Sequence, residues 1–121
     1  MAEARWKWME HRGKRILYVD YREMKPEQIL PVMKETNDAV AASQGKVLIL
    51  GSVKDAVVTR EVMEYLKRSA RMVLRYRAEM IAVVGATALL AVFFDSFVVS
   101  LDRDFARKFE TEAEALEWLV K

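Results

Sequence analysis

The residues whose types and spacing could do chemistry are the basic ones between Arg60 and Arg77. This segment carries a net charge of +4, while the rest of the chain carries −2. Four cations lie at helical spacing and would form a stripe, with Arg77 beside it: Lys67, Arg68, Arg71 and Arg75. The stripe could bind phosphate, acidic lipid or an acidic partner, or it could be a solvated helix face. Nucleic acid is not expected, because no aromatic stacking positions interleave the cations.

Residues that could catalyse a reaction are sparse. The chain has one histidine and no cysteine, which excludes a thiolate metal site and a cluster of histidine ligands. It has no nucleophile elbow, P-loop or GxGxxG motif. Nothing in the pattern brings together the acids Asp20, Asp55 and Asp95. We therefore predict that the chain is not an enzyme and that it needs no cofactor and no metal.

Several single residues have both a chemical and a structural interpretation. His11 falls in a predicted turn, where a solvated surface histidine is expected rather than a catalytic base. Asp95 is expected to pair with Arg103 or Arg107, or to face solvent, because an unpaired buried carboxylate is costly. Three tryptophans could stack on a ligand but are expected to pack at the core or its rim: Trp6, Trp8 and Trp118.

The elements that must position these residues follow from hydrophobic periodicity. Strands are predicted near residues 6–9, 16–21, 47–50, 80–84 and 105–109. The first two would form a hairpin that turns at Gly13. Helices are predicted over about 26–44, from Thr59 as N-cap, over 87–101, and after a capping box formed by Thr111 and Glu114. Within the first helix, Pro31 implies either a start near residue 30 or a kink.

The predicted order ββαβαβαβα indicates one α/β domain over residues 1–121, with a mixed sheet of about five strands and about four helices. The apolar run Ile81–Leu101 is long enough for a membrane span and contains only one charged residue. Gly85 divides it, however, into a strand-like and a helix-like part. The segment Met1–Glu10 lacks the apolar stretch of a signal peptide, so a cytoplasmic protein is expected.

The helix over 87–101 is apolar on nearly every side, and its excess apolar surface must be covered. A homodimer interface is the first hypothesis, because two-fold dimers are the commonest oligomers. Contact with a membrane, the wall of a lipid-sized cavity and simple burial are the alternatives. The residues expected at this surface are the large apolar ones: Leu90, Phe93, Phe94, Phe97 and Val98.

The same order and local sequence resemble the SpoIIAA-like (STAS/SEC14-like) family. The matching segments cover nearly the whole chain: Gly13-Lys14 before Ile16–Tyr21, Val47–Leu50, Val83–Gly85, Phe109–Thr111 and Ala115–Leu119. These motifs are structural rather than catalytic. The resemblance implies a regulatory interaction module or, by likeness to SEC14-type domains, a carrier of a lipid or small apolar ligand. For such a carrier, the basic stripe would be the part that contacts anionic membranes peripherally.

The resemblance also implies a site for regulation. The sporulation-type members of the family are phosphorylated on a serine, within an Asp-Ser pair, at the start of the helix after the third strand. That place falls near Val58-Thr59 here, where Thr59 keeps a hydroxyl but lacks the acidic neighbour. Ser52 is the other hydroxyl in this loop. Both are weak candidates for phosphorylation.

Overall fold

The fold, described from a computed structural model that covers residues 5–86, 88–101 and 105–121, is built on one mixed sheet. Its strands lie side by side in chain order. β1 is antiparallel to β2, and the remaining neighbours are parallel. The strands are β1 Trp6–His11, β2 Lys14–Asp20, β3 Val47–Ser52, β4 Ala78–Val84 and β5 Ala106–Phe109.

Four helices complete the fold. Three of them are α1 Pro26–Ala41, α3 Ala88–Leu101 and α4 Glu112–Leu119. The remaining helix, α2, runs without a break through Arg60–Ser69, Ala70–Leu74 and Arg75–Arg77. The predicted α/β class and the order ββαβαβαβα are therefore confirmed. α1 begins at Pro26 and contains Pro31, so the start near residue 30 was wrong; Pro31 is tolerated on the exposed side of the helix.

Local signals explain most of the element ends. The hairpin turns through Arg12 and Gly13, both at positive φ (51° and 79°), as a two-residue turn requires. The predicted N-caps are confirmed: the hydroxyl of Thr59 accepts the Val62 N–H at 3.3 Å, and that of Thr111 accepts the Glu114 N–H at 3.2 Å. Each cap satisfies a backbone donor that the first helical turn leaves unpaired.

Strand order decides how the helices are layered. In a parallel sheet whose strands follow in sequence, right-handed crossovers place every connecting helix on the same face. α1, α2 and α3 accordingly share one apolar core with β2–β4, which we call the helical face. α4 covers the opposite face, called here the α4 face, with a second core built on Ile16, Leu50 and Leu119.

The long apolar run is divided as predicted. β4 ends at Val84, Gly85 adopts φ 85°, and α3 begins at Ala88. A side chain at Gly85 would also crowd the backbone of Lys54 at 3.2 Å, so two loops meet closely here. Within the residues that the structure describes, no helix combines the length and hydropathy needed to cross a bilayer.

Candidate binding cavity and neighbouring surfaces

A cavity of about 140 Å³ lies inside the helical face, between the sheet and helices α1, α2 and α3. Its walls are almost entirely apolar, and every one of these elements contributes to them. Representative lining residues are Ile29 and Met33 from α1, Val62 and Leu74 from α2, and Phe93 and Phe94 from α3.

The floor of the cavity is formed by the middle of the sheet. Ile49 in β3 and Val83 in β4 keep part of their surface accessible, although both lie in central strands covered by helices. Gly51 lies two residues after Ile49 in β3 and is paired in register with Val83. An added Cβ at Gly51 would meet only a Tyr21 ring carbon, at 3.9 Å. A glycine inside a strand often marks close approach of another group. Here its missing side chain leaves the space open.

Four polar side chains also line the cavity: Tyr21, Thr36, Asn37 and Ser69. The Ser69 hydroxyl donates to Asn37 Oδ1 at 2.7 Å, and the buried Thr36 hydroxyl donates to the Met33 carbonyl at 3.0 Å. Burial raises the pKa of the Tyr21 hydroxyl well above its usual value, and the neighbouring Thr36 opposes this only in part. The group is therefore uncharged over the physiological range and acts through hydrogen bonds.

The helix above the cavity contains a π-helical segment, Ala70–Leu74. Ser69, immediately before it, and Leu74, at its end, both line the cavity. Arg71 and Met72, within the same segment, are exposed. π-helical turns are rare and are frequent at functional sites. The segment thus connects the cavity wall directly with the outer surface of α2.

The predicted interface residues of α3 lie on its inner side rather than on an outer surface, and four of them line the cavity, which was one of the alternatives: Leu90, Phe93, Phe94 and Phe97. Phe94 and Phe97 are buried, with ring centroids 5.9 Å apart, and belong to the core of the single chain. Three others are partly buried and pack against that core: Leu90, Phe93 and Val98. They point inward because α3 turns this side to the sheet.

The exposed apolar residues of α3 are others. Leu89, Val92 and Val99 are 63%, 62% and 79% exposed. Together with Ser96 they follow one another at intervals of three, four and three residues, which is the spacing of a coiled-coil seam. Hydrophobicity alone could not reveal this stripe, because nearly every position of the helix is apolar.

The basic stripe lies on the outer side of α2. Arg68, Arg71 and Arg75 are exposed, and Lys67 is partly buried. Arg75 stacks over the ring of Tyr76, at 5.7 Å from its centroid. Arg77, which was expected to flank the stripe, is exposed and donates to the Ser43 carbonyl at 3.3 Å, beyond the end of α1.

The acid and histidine candidates for chemistry are held in surface contacts. Asp95 is exposed and pairs with Lys108 at 3.1 Å. Solvent exposure of Asp95 was one of the two expected outcomes. The other was an ion pair with Arg103 or Arg107; Arg107 stacks on Trp118 instead, and Arg103 lies outside the described residues. His11 contacts Glu117 at 3.1 Å.

The tryptophans occupy the rim of the two cores, as predicted. Trp6 donates its indole N–H to Glu35 at 3.1 Å, and the guanidinium of Arg15 stacks on Trp8 at 4.0 Å. Trp118 packs against Phe109. None of the three lines the cavity of the helical face.

The two hydroxyl groups that were weak candidates for phosphorylation differ in access. Thr59 is exposed, but its oxygen caps α2. Ser52 is only 3% exposed and lies at the end of β3, paired in the sheet with Asp20. Ser52 is therefore hardly accessible to a kinase in the folded chain, and phosphorylation of either hydroxyl stays a prediction.

The cavity itself was missed from the sequence. Its four polar side chains come from the residue after β2, from α1 and from α2, which are far apart in the chain. The one local signal was Gly51, a glycine directly after the apolar run Val47–Leu50. A scan against protein-family models and a search of curated protein sequences both give no match for this chain.

Proposed function

We propose that the chain is a non-catalytic, cytoplasmic binding module that holds a small apolar molecule between its sheet and helices α1–α3. The cavity of about 140 Å³ in the helical face carries this proposal. Its lining is apolar, with a few converging polar groups that can orient a ligand, which is the usual composition of a small-molecule site.

The energetic cost of an empty cavity supports this function. At about 24 cal/mol per Å³, the value for enclosed cavities in protein cores, leaving 140 Å³ unfilled costs at most roughly 3 kcal/mol. That is a large share of the total stability of a domain, about 5–15 kcal/mol. A ligand that fills the space recovers contacts that the fold itself does not make.

The dimensions and chemistry of the cavity define the ligand. An apolar cavity of about 150 Å³ accepts a benzene-sized molecule, so one ring or a short branched chain fits. A charged group would be costly among these walls. One hydrogen-bonding group could meet Asn37 or Ser69, whose side chains already bond to each other. A whole membrane lipid is larger than this space.

The family resemblance supports the same class of function. A chain with SpoIIAA-like (STAS/SEC14-like) character would be a binding or regulatory module rather than an enzyme. The strand and helix order agrees with such a module. Within that family hypothesis, the cavity favours the ligand-binding alternative over a purely protein-binding one.

Binding can be tested with benzene and toluene as probes. We expect either probe to raise the Tm of the protein, since a ligand that binds only the folded state stabilises it. Gly51→Val should abolish this increase, because its side chain would occupy the cavity floor. Gly45→Val is the matched control, since Gly45 lies in a loop outside the cavity, where an added Cβ meets nothing within 4 Å.

Native mass spectrometry of the purified protein completes the test. A bound small organic molecule, lost in Gly51→Val and kept in Gly45→Val, would support the cavity as its site. A protein that carries no ligand and whose Tm responds to neither probe would contradict the proposal.

A second function, self-association, is favoured by the stripe Leu89, Val92 and Val99. We propose that two copies pack these stripes against each other, which would bury three large apolar side chains that the single chain exposes. The heptad-like spacing lets two such helices pack along their length. This interface uses the outer side of α3, whereas the residues first expected there lie inside.

Analytical ultracentrifugation tests the self-association. Val92→Glu should convert a dimer into a folded monomer. Val57→Glu is the matched control, because Val57 is 53% exposed but lies in the loop before α2. A wild-type monomer at all concentrations, or a Val92→Glu dimer, would refute the interface.

A further inference from the structure

The outer side of α2 combines cations with exposed apolar side chains. Met72 is 72% exposed and Tyr76 is 63% exposed. They lie one and two turns after Arg68, with Arg71 and Arg75 beside them. We call this surface, defined by Arg68, Arg71, Met72, Arg75 and Tyr76, the basic-apolar face.

Most of the positive charge on this face is not neutralised within the chain. In the described residues, no carboxylate forms an ion pair with Arg68 or Arg71, nor with the neighbouring Lys67. The acids of α2 lie in its first half, where Glu64 pairs with Arg60 at 3.2 Å. The face therefore presents a concentrated positive charge to solvent.

We infer that the basic-apolar face docks on the surface of an anionic lipid bilayer. Guanidinium groups bind lipid phosphates, while Met72 and Tyr76 can enter the boundary between headgroups and acyl chains. Nucleic acid or an acidic protein segment would satisfy the cations, but neither needs an exposed methionine in their midst. The apolar side chains therefore favour the bilayer.

This inference deepens the proposed function and rests on it for one point, the purpose of docking. Small apolar molecules concentrate in bilayers, and the face lies directly outside the cavity. The π-helical segment Ala70–Leu74 contributes to both, because Arg71 and Met72 face outward while Leu74 lines the cavity. Docking would thus bring the cavity wall next to a source of ligand.

Co-sedimentation with vesicles tests the docking. We expect binding to phosphatidylcholine vesicles that contain phosphatidylserine, but not to phosphatidylcholine alone. Each Lys or Arg near such a surface contributes about fivefold to binding, so Arg68→Glu with Arg71→Glu should weaken it by at least about 25-fold. Raising the salt from about 0.1 M to about 1 M should have the same effect, because the Debye length falls from about 10 Å to 3 Å.

Two further variants separate the contributions. Lys14→Glu with Lys121→Glu makes the same change in net charge on the other side of the molecule, since Lys14 shares the strand face of Ile16 and Lys121 follows α4. This control should bind as the wild type does. Met72→Ser keeps the charge and the stacking of Arg75 on Tyr76, and it should weaken binding several-fold because an apolar side chain no longer enters the bilayer.

Three results would overturn the docking: equal loss in both charge variants, binding that survives Arg68→Glu with Arg71→Glu, or binding of a labelled oligonucleotide without binding of vesicles. The cavity is tested independently in the same preparations. Gly51→Val should lose the probe-induced rise in Tm and still bind vesicles. Loss of docking with probe binding intact would refute this inference alone.

Discussion

The two faces of the sheet are filled in opposite ways. On the α4 face, one short helix closes a core in which Ile16 and Leu50 are fully buried and Leu119 is 1% exposed. On the helical face, three longer helices leave a cavity of about 140 Å³. More covering structure thus produces poorer filling, so the cavity does not arise from a shortage of apolar residues.

The difference lies in what each face places at its centre. The α4 face interlocks branched side chains, as a close-packed interior should. The helical face has Gly51 in the central strand, polar groups at Asn37 and Ser69, and a π-helical segment in the covering helix. All of these are poor choices for a core whose only task is stability, and all of them suit a binding site.

The largest contrast expected is between the two sides of α3. Phe97→Glu places a carboxylate where the native ring is 3% exposed, and we expect a loss of about 4 kcal/mol or more in the free energy of unfolding. Val92→Glu lies on the exposed stripe and, at protein concentrations low enough to keep the chain monomeric, should change it by about 0.5 kcal/mol or less. Urea denaturation monitored by circular dichroism measures both. Equal losses would mean that α3 does not present these sides as described.

The second contrast compares neighbours in β3 that point to opposite faces. Leu50→Ala, on the α4 face, should cost about 2–5 kcal/mol. Ile49→Ala, on the cavity floor, should cost about 2 kcal/mol or less, since Ile49 already lacks part of its contacts. The difference between their urea midpoints tests the cavity without any ligand. An Ile49→Ala cost as large as that of Leu50→Ala would mean that the helical face is filled.

The contrast between the faces also marks what could be predicted from the sequence. Elements with local signals were found: the turn at Gly13, the caps Thr59 and Thr111, and the strand–helix division at Gly85. Each depends on one or two residues whose conformational preferences are independent of the rest of the fold. The mixed sheet was predicted from the order of the elements alone, whereas the order of its strands was not predicted.

The candidate site was less predictable for a physical reason. A cavity is a mismatch between surfaces that meet only after folding, and the sequence records neither surface separately. The same limit applied to α3: its apolar content was evident, but which side faces the sheet depends on packing. Phe94 and Phe97 were therefore assigned to an interface, although both are buried. The large apolar side chains that α3 exposes are those of Leu89, Val92 and Val99.

A smaller contrast is expected between two tyrosines at high pH. Burial raises the pKa of Tyr21 on the helical face. The pKa of Tyr18 on the α4 face is raised by burial and by the hydrogen bond that the Tyr18 hydroxyl donates to Glu112. The raised pKa of each tyrosine stabilises the folded state fully at pH values below its pKa in the unfolded chain, about 10. This stabilisation is lost as the pH rises through the pKa of the tyrosine in the folded chain. Stability should fall with pH by up to about 1.4 kcal/mol per unit for each buried hydroxyl.

Phenylalanine substitutions separate the two tyrosines. Tyr21→Phe should flatten the decline in stability above pH 10 more than Tyr18→Phe does, because the hydroxyl of Tyr21 is the more deeply buried. Urea midpoints measured across the alkaline range, each compared with the same variant at neutral pH, provide the test. A larger effect of Tyr18→Phe would mean that the α4 face, rather than the cavity, holds the less solvated hydroxyl.

The smallest effect expected is also the one that best separates stability from function. Gly51→Ala should raise the free energy of unfolding by about 0.4–1 kcal/mol, since the unfolded chain loses freedom and the new methyl group finds only the Tyr21 ring, at 3.9 Å. Gly45→Ala should give a similar gain for the same reason, without any contact within 4 Å. The two variants should differ in ligand binding, because only the first reduces the cavity. A protein that becomes more stable yet responds less to benzene would show that Gly51 is kept at the expense of stability. Equal responses to benzene in the two variants would instead place the ligand away from β3, and the cavity would then be a packing defect of the helical face.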